Sequence, residues 1–134
     1  AGYLRLIPSE VVHRYRRRIL NIHPALLPSF GGKGMYGMRV HQAVVDAGES
    51  MTGATVHYVD EEYDRGTIIG QWRVPVEPDD SAEVVAARVL EIEHRLYPLA
   101  AEHVCSALIE GRDPGPFDLP ELSSTTTTDL EHTE

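Results

Sequence analysis

The most regular pattern in the chain lies after Asp80. Val85, Val89, Ile92 and Leu96 recur every three or four residues, so one face of a long helix is core. Asp80 or Ser81 caps it, Pro98 is expected to break or kink it, and a second segment runs to about Glu110 before Gly111. Val40, Val44 and Val45, with Ala43 and Ala47 beside them, predict a helix over 36–47 that Gly48 stops. A shorter helix is expected from Pro8-Ser9-Glu10 to about Arg18, with Ser9 or its neighbour capping and Val11, Val12 and Tyr15 on its apolar side. Residues 1–7, 18–23, 55–59 and 67–76 read as strands, and Pro75 places the end of the last at a sheet edge. Prolines and glycines make 24–34 a long loop, and 60–66 is an acidic one.

Strands alternating with helices predict an α/β architecture on a largely parallel sheet. In such sheets chemistry sits beyond the carboxyl ends of strands, here near 21–23 and 58–64. The opening residues already read as strand and carry no initiator Met, so the chain is expected to be a piece of something longer.

Composition narrows the picture. The 134 residues are 42% hydrophobic and 25% charged, enough for one small domain or part of a larger one. With 21 acidic against 12 basic side chains the formal net charge is −9, which argues against a broad nucleic-acid footprint. The single cysteine, Cys105, excludes an intrachain disulfide scaffold. No apolar run approaches the ~20 residues of a membrane span, and no signal peptide is seen, so a soluble, cytoplasmic protein is expected. After Phe117 there are five acidic side chains and no Lys or Arg, and 112–134 reads as an acidic, disordered tail.

Two stretches can carry chemistry. In Asn21-Ile22-His23-Pro24-Ala25-Leu26-Leu27-Pro28, strand alternation sets Asn21 and His23 on one side. Asn offers a neutral amide donor to a developing oxyanion, and His a charge that changes near neutrality. The plain alternative is an Asn turn with a surface His. In Gly53 to Gly66, carboxylates at Asp60, Glu61, Glu62 and Asp64 crowd one another, which favours a raised pKa or a cationic partner; by composition alone this is better read as a solvated acidic turn. The histidines lack metal-ligand spacing, so no metal site is expected. Gly31-Gly32-Lys33-Gly34 lacks the full phosphate-loop spacing, Arg16–Arg18 reads as a solvated helix end, and no Gly-x-Ser-x-Gly elbow is present.

The first stretch resembles the signature of folate-dependent formyltransferases. Gly53 to Gly66, continuing to Val76, resembles the second signature of that superfamily, whose invariant acid falls on Asp64. Glu93-His94-Arg95-Leu96-Tyr97-Pro98, His57 in Val-His-Tyr-Val, and Lys33 to Gly37 favour the branch acting on phosphoribosylglycinamide (GAR) in purine synthesis.

The resemblance implies a Rossmann-like formyltransferase fold over 1–111, of which this chain holds the C-terminal portion; the amino-terminal strands and a phosphate loop for GAR are expected to lie outside it. It implies transfer of a formyl group from the co-substrate 10-formyltetrahydrofolate to the amine of GAR, with both small molecules as partners and no metal. Asn21, His23 and Asp64 are then the catalytic trio. Leu4, Arg5 and Ile7 would line the folate cleft, with Asp60, Glu61 and Asp64 in the loop that closes over the ring. Asn21, Ile22, His23 and Glu93 would contact GAR. An unpaired sheet edge left by the missing strands would make the 134 residues alone bind GAR poorly and turn over little. Related alternatives are methionyl-tRNA formyltransferase, whose basic domain has no counterpart in the acidic tail, formyltetrahydrofolate hydrolase, and a non-catalytic folate-binding module.

Overall fold

The computed structural model describes residues 6–59, 67–112 and 116. In chain order the elements are α1 (Ser9–Arg14), β1 (Leu20–His23), α2 (Met38–Asp46), β2 (Met51–Tyr58), β3 (Ile68–Pro75) and α3 (Ala82–Ile109). The strands form one sheet in the order β1-β2-β3. On one face of that sheet, Ala54, Val56, Tyr58, Trp72 and Val74 meet Val85, Val89, Ile92, Leu96, Ala100 and Val104 of α3, with Val44 of α2 completing the core.

The α/β class stands, but the pairing corrects the expectation of a largely parallel sheet. Both β1–β2 and β2–β3 are antiparallel. Between β2 and β3 only residues 59–67 intervene, too few for the crossover helix that parallel neighbours require. Pro75 does end an edge strand among the described residues, at the position opposite Met51.

Local chemistry explains most element boundaries. Ser81 is the N-cap of α3, its Oγ accepting the Val84 N–H at 3.2 Å. Asp80 stands outside the helix and ties its entry to β3. Its carboxylate accepts the Glu77 N–H and pairs with Arg88 at 2.6 Å, while Arg88 also donates to the Pro75 carbonyl at 2.8 Å. Arg88 and the Glu77 N–H together hold the Asp80 carboxyl below its ordinary pKa.

Pro98 does not break the helix into two segments: α3 is continuous through it. Proline removes the N–H that would bond the His94 carbonyl, but Pro98 and His94 both lie on the solvent side. Water can therefore satisfy that carbonyl, and the core face runs on through Ala100 and Val104. α1 stops at Arg14, earlier than predicted; its N-cap is Pro8, without a side-chain cap, and Arg17 beyond it takes a left-handed φ of 58°.

β2 begins at Met51, four residues before the predicted strand. Gly53 sits inside it because no Cβ fits there. A Cβ would overlap the Trp72 carbonyl oxygen of β3 and come within 2.8 Å of Leu26 Cδ2.

Candidate functional site

The sheet face away from α3 carries the polar residues of the first signature. In the register, Asn21 stands opposite His57, and His23 opposite Thr55, which in turn stands opposite Gln71. Directly opposed residues point to the same side, so these side chains form two adjacent cross-strand rows. Alternation along β1 turns Ile22 the other way, against the core, so any contact it makes with a substrate comes from its backbone.

Asn21 is oriented by His57. The buried His57 donates from Nδ1 to the Tyr58 carbonyl at 2.8 Å, which leaves Nε2 as an acceptor for the Asn21 amide N–H at 3.3 Å. One amide proton is thereby committed, and the second remains available to an oxygen of a bound substrate.

His23 is held differently. Its Nε2 lies 2.7 Å from the Phe30 carbonyl, an acceptor only, so Nε2 carries a proton and donates. Protonation of Nδ1 then decides whether the ring is charged. The buried His41 of α2 sits close enough to feel that charge: burial first, and His23 second, push the His41 pKa down. A neutral imidazole at His41 follows.

Thr55 closes the arrangement from below. Its hydroxyl donates to the Ala25 carbonyl at 2.7 Å and accepts from the Leu27 N–H at 3.1 Å and from Gln71 Nε2 at 2.9 Å. Gln71 Nε2 also donates to the Leu27 carbonyl at 2.9 Å. The loop after His23, which includes the cis Leu27–Pro28 bond, is thus pinned to the middle of the sheet.

Asn21 and His23 come together as their spacing predicts. Leu4, Arg5, Asp60, Glu61 and Asp64 lie outside the described residues. Ile7 is half-buried, just ahead of α1 and outside any helix or strand. Glu93 lies half-buried on α3, and burial raises its carboxyl pKa against a smaller opposing effect of His94. Among the described residues no hydrogen bond or ion pair joins it to Asn21 or His23, and no group of three or more His, Cys, Asp or Glu could hold a metal.

Sequence reasoning missed the supporting roles of His57, Thr55, Gln71 and His41. The alternation that pairs Asn21 with His23 also pairs Thr55 with His57, and that signal was present in the sequence. His41, by contrast, looks like any polar residue on an amphipathic helix.

Comparison with known proteins agrees with this geometry. The formyl transferase family profile matches residues 1–101. A phosphoribosylglycinamide formyltransferase of Vigna unguiculata, named as chloroplastic, is 53% identical over 115 residues; these cover 86% of this chain and 37% of the relative. The crystal structure of glycinamide ribonucleotide transformylase 1 from Symbiobacterium toebii superposes with a TM-score of 0.74 at 38% identity, covering 88% of this chain and 54% of that one. A formyltetrahydrofolate deformylase structure from Pseudomonas syringae shares 30% identity at a TM-score of 0.66, covering 87% of this chain and 38% of that one. The chain therefore spans about half or less of the length of these relatives. With the profile covering most of its length and an Asn–His pair set on one sheet face, this chain belongs to the formyl transferase family.

Proposed function

We propose that the catalytic unit to which these residues contribute moves the formyl group of 10-formyltetrahydrofolate to the primary amine of GAR. The observation that supports this most is the pairing of Asn21 with His57 beside His23 on a single sheet face. Attack of the amine on the formyl carbon forms a C–N bond and places negative charge on the former carbonyl oxygen. The second Asn21 N–H is suited to donate a hydrogen bond to that oxygen, and a cationic His23 stabilises the charge further. Asp64 is assigned the proton: it keeps the imidazole charged and helps move the amine proton, directly or through water, to the tetrahydrofolate nitrogen that departs as its C–N bond breaks. Leu4, Arg5, Ile7, Asp60 and Glu61 are assigned to the folate, and Glu93 to the amine end of GAR. The higher identity to the GAR enzyme than to the deformylase favours an amine over water as acceptor.

The unit is assigned to residues 1–111, with 112–134 outside it and the protein in the cytoplasm. By themselves the 134 residues are expected to turn over little, because the relatives use roughly twice this length. The decisive experiment places this chain in the Vigna relative, in exchange for the 115 matching residues. The chimera should transfer formyl to GAR, release little formate without an amine, and leave charged initiator tRNA unmodified. Asn21→Ala should then lower kcat by about 10²–10³-fold, and Asp64→Asn by about 10²–10⁴-fold. A folded chimera that transfers nothing to GAR, or whose Asp64→Asn form turns over normally, refutes the assignment.

A further inference from the structure

We propose that Gln71 is a positioning residue for His23, acting through the loop that Thr55 anchors. This inference rests on the proposed formyl transfer only for its kinetic consequence. The reasoning begins with connectivity. His23 ends β1, and the chain returns to it seven residues later through the Phe30 carbonyl at its Nε2. Between those points the backbone is fastened at Ala25 and at both polar groups of Leu27, and among the described residues these fastenings converge on Thr55 and Gln71. The Thr55 hydroxyl has one donor and two acceptor sites, and all of them are filled. It therefore has no capacity left to hold the Leu27 carbonyl.

Gln71 is what closes that gap. Its amide bridges Thr55 and Leu27 across two strands, from a position opposite Thr55 in the register. Without its donors the Leu27 carbonyl is released and the loop pivots about the remaining Thr55 contacts. The Phe30 carbonyl then no longer holds a fixed place at His23 Nε2. A side chain on the strand farthest from β1 thus sets the ring orientation of the residue that is to stabilise the transition state. Nothing in the local sequence around Gln71 marks it, because the coupling exists only through the register.

The test uses the whole 134-residue chain with ¹⁵N-labelled histidine, the His23 signals being assigned by their loss in His23→Gln. Gln71→Met keeps the length and removes both donors. Wild-type His23 should show a persistent Nε2-protonated ring, and Gln71→Met should show averaged ring-nitrogen shifts and an altered titration midpoint, with cooperative unfolding retained. In the chimeric enzyme kcat should fall about 10- to 100-fold with KM for GAR little changed, as expected for a group displaced by about an ångström. Gln71→Glu, equal in size but lacking the donor to Leu27, is the second variant and should give the same ring signature if Gln71→Met fails to fold. Thr55→Ser, which keeps the hydroxyl, should retain the wild-type signature. A folded Gln71 variant with His23 shifts and titration unchanged overturns the proposal whatever reaction the protein performs. Altered His23 shifts in a protein that transfers no formyl group would instead overturn the reaction and leave the positioning role standing.

Discussion

Replacing Gly53 by alanine tests the packing on which the site is built. Gly53 is not in a left-handed conformation, so its reason for being glycine is space alone. An added methyl meets the Trp72 carbonyl oxygen and, on its other side, Leu26 Cδ2 at 2.8 Å. Leu26 can rotate away, but the Trp72 backbone cannot move without opening the β2–β3 ladder where Gly53 faces Arg73. Overpacking of this kind costs about 1–3 kcal/mol. Loss of one or two ladder hydrogen bonds adds about 1 kcal/mol each. The sum, about 2–5 kcal/mol, is a large part of the total stability of a small domain. Urea unfolding followed by Trp72 fluorescence should show the midpoint falling with little change in slope. The amide signals of Ala54, Thr55 and Trp72 should shift as well. An alanine variant within 0.5 kcal/mol of wild type would refute the close-approach explanation.

Three other outcomes are expected. Leu96→Ala opens a cavity in the fully buried interface between α3 and the sheet and should destabilise by about 2–5 kcal/mol in the same urea assay; a cost below 1 kcal/mol would show that α3 is not packed there. His41 titrates below its ordinary value of 6.5 in the folded chain, so the unfolded chain binds more protons as pH falls through that value. Its contribution to stability is present above pH 6.5 and is lost as pH drops toward the folded pKa; His41→Leu should flatten the urea midpoint between pH 7 and 5, and identical slopes would contradict the burial. Glu93 has the opposite sign, its raised pKa giving stability below about pH 4.5 that is lost as pH rises through the folded value, so Glu93→Gln should weaken that decline.

What the sequence reveals depends on where each constraint acts. α3 is legible because its buried residues follow a helical period, and Ser81 supplies a local start signal. The Asn21–His23 pair is legible for the corresponding reason in a strand. The early half of β2 is not. Met51-Thr52-Gly53-Ala54 lacks the bulky pattern of a strand, and from Thr52 on the strand is buried on both faces, which erases alternation. Strand direction is harder to read, because alternating elements suggest crossovers, although the short 59–67 link is a cue to antiparallel pairing. Pro98 misleads for a different reason. Its helix-breaking effect is real in isolation, yet it is tolerated where the released carbonyl faces water. The roles of Thr55 and Gln71 depend on partners 16 to 44 residues away and have no local signature.

The two cross-strand rows have a consequence for how this protein can misfold. A slip of β1 by a single residue against β2 would turn Leu20 and Ile22 outward and drive Asn21 and His23 into the apolar layer under α3. The mispaired chain would lose its chemistry and its core at one stroke. Four residues of β1 therefore carry a proofreading function, in which the packing of Ile22 against the core ensures that only a correctly aligned molecule sets an imidazole and an amide on the sheet face away from α3.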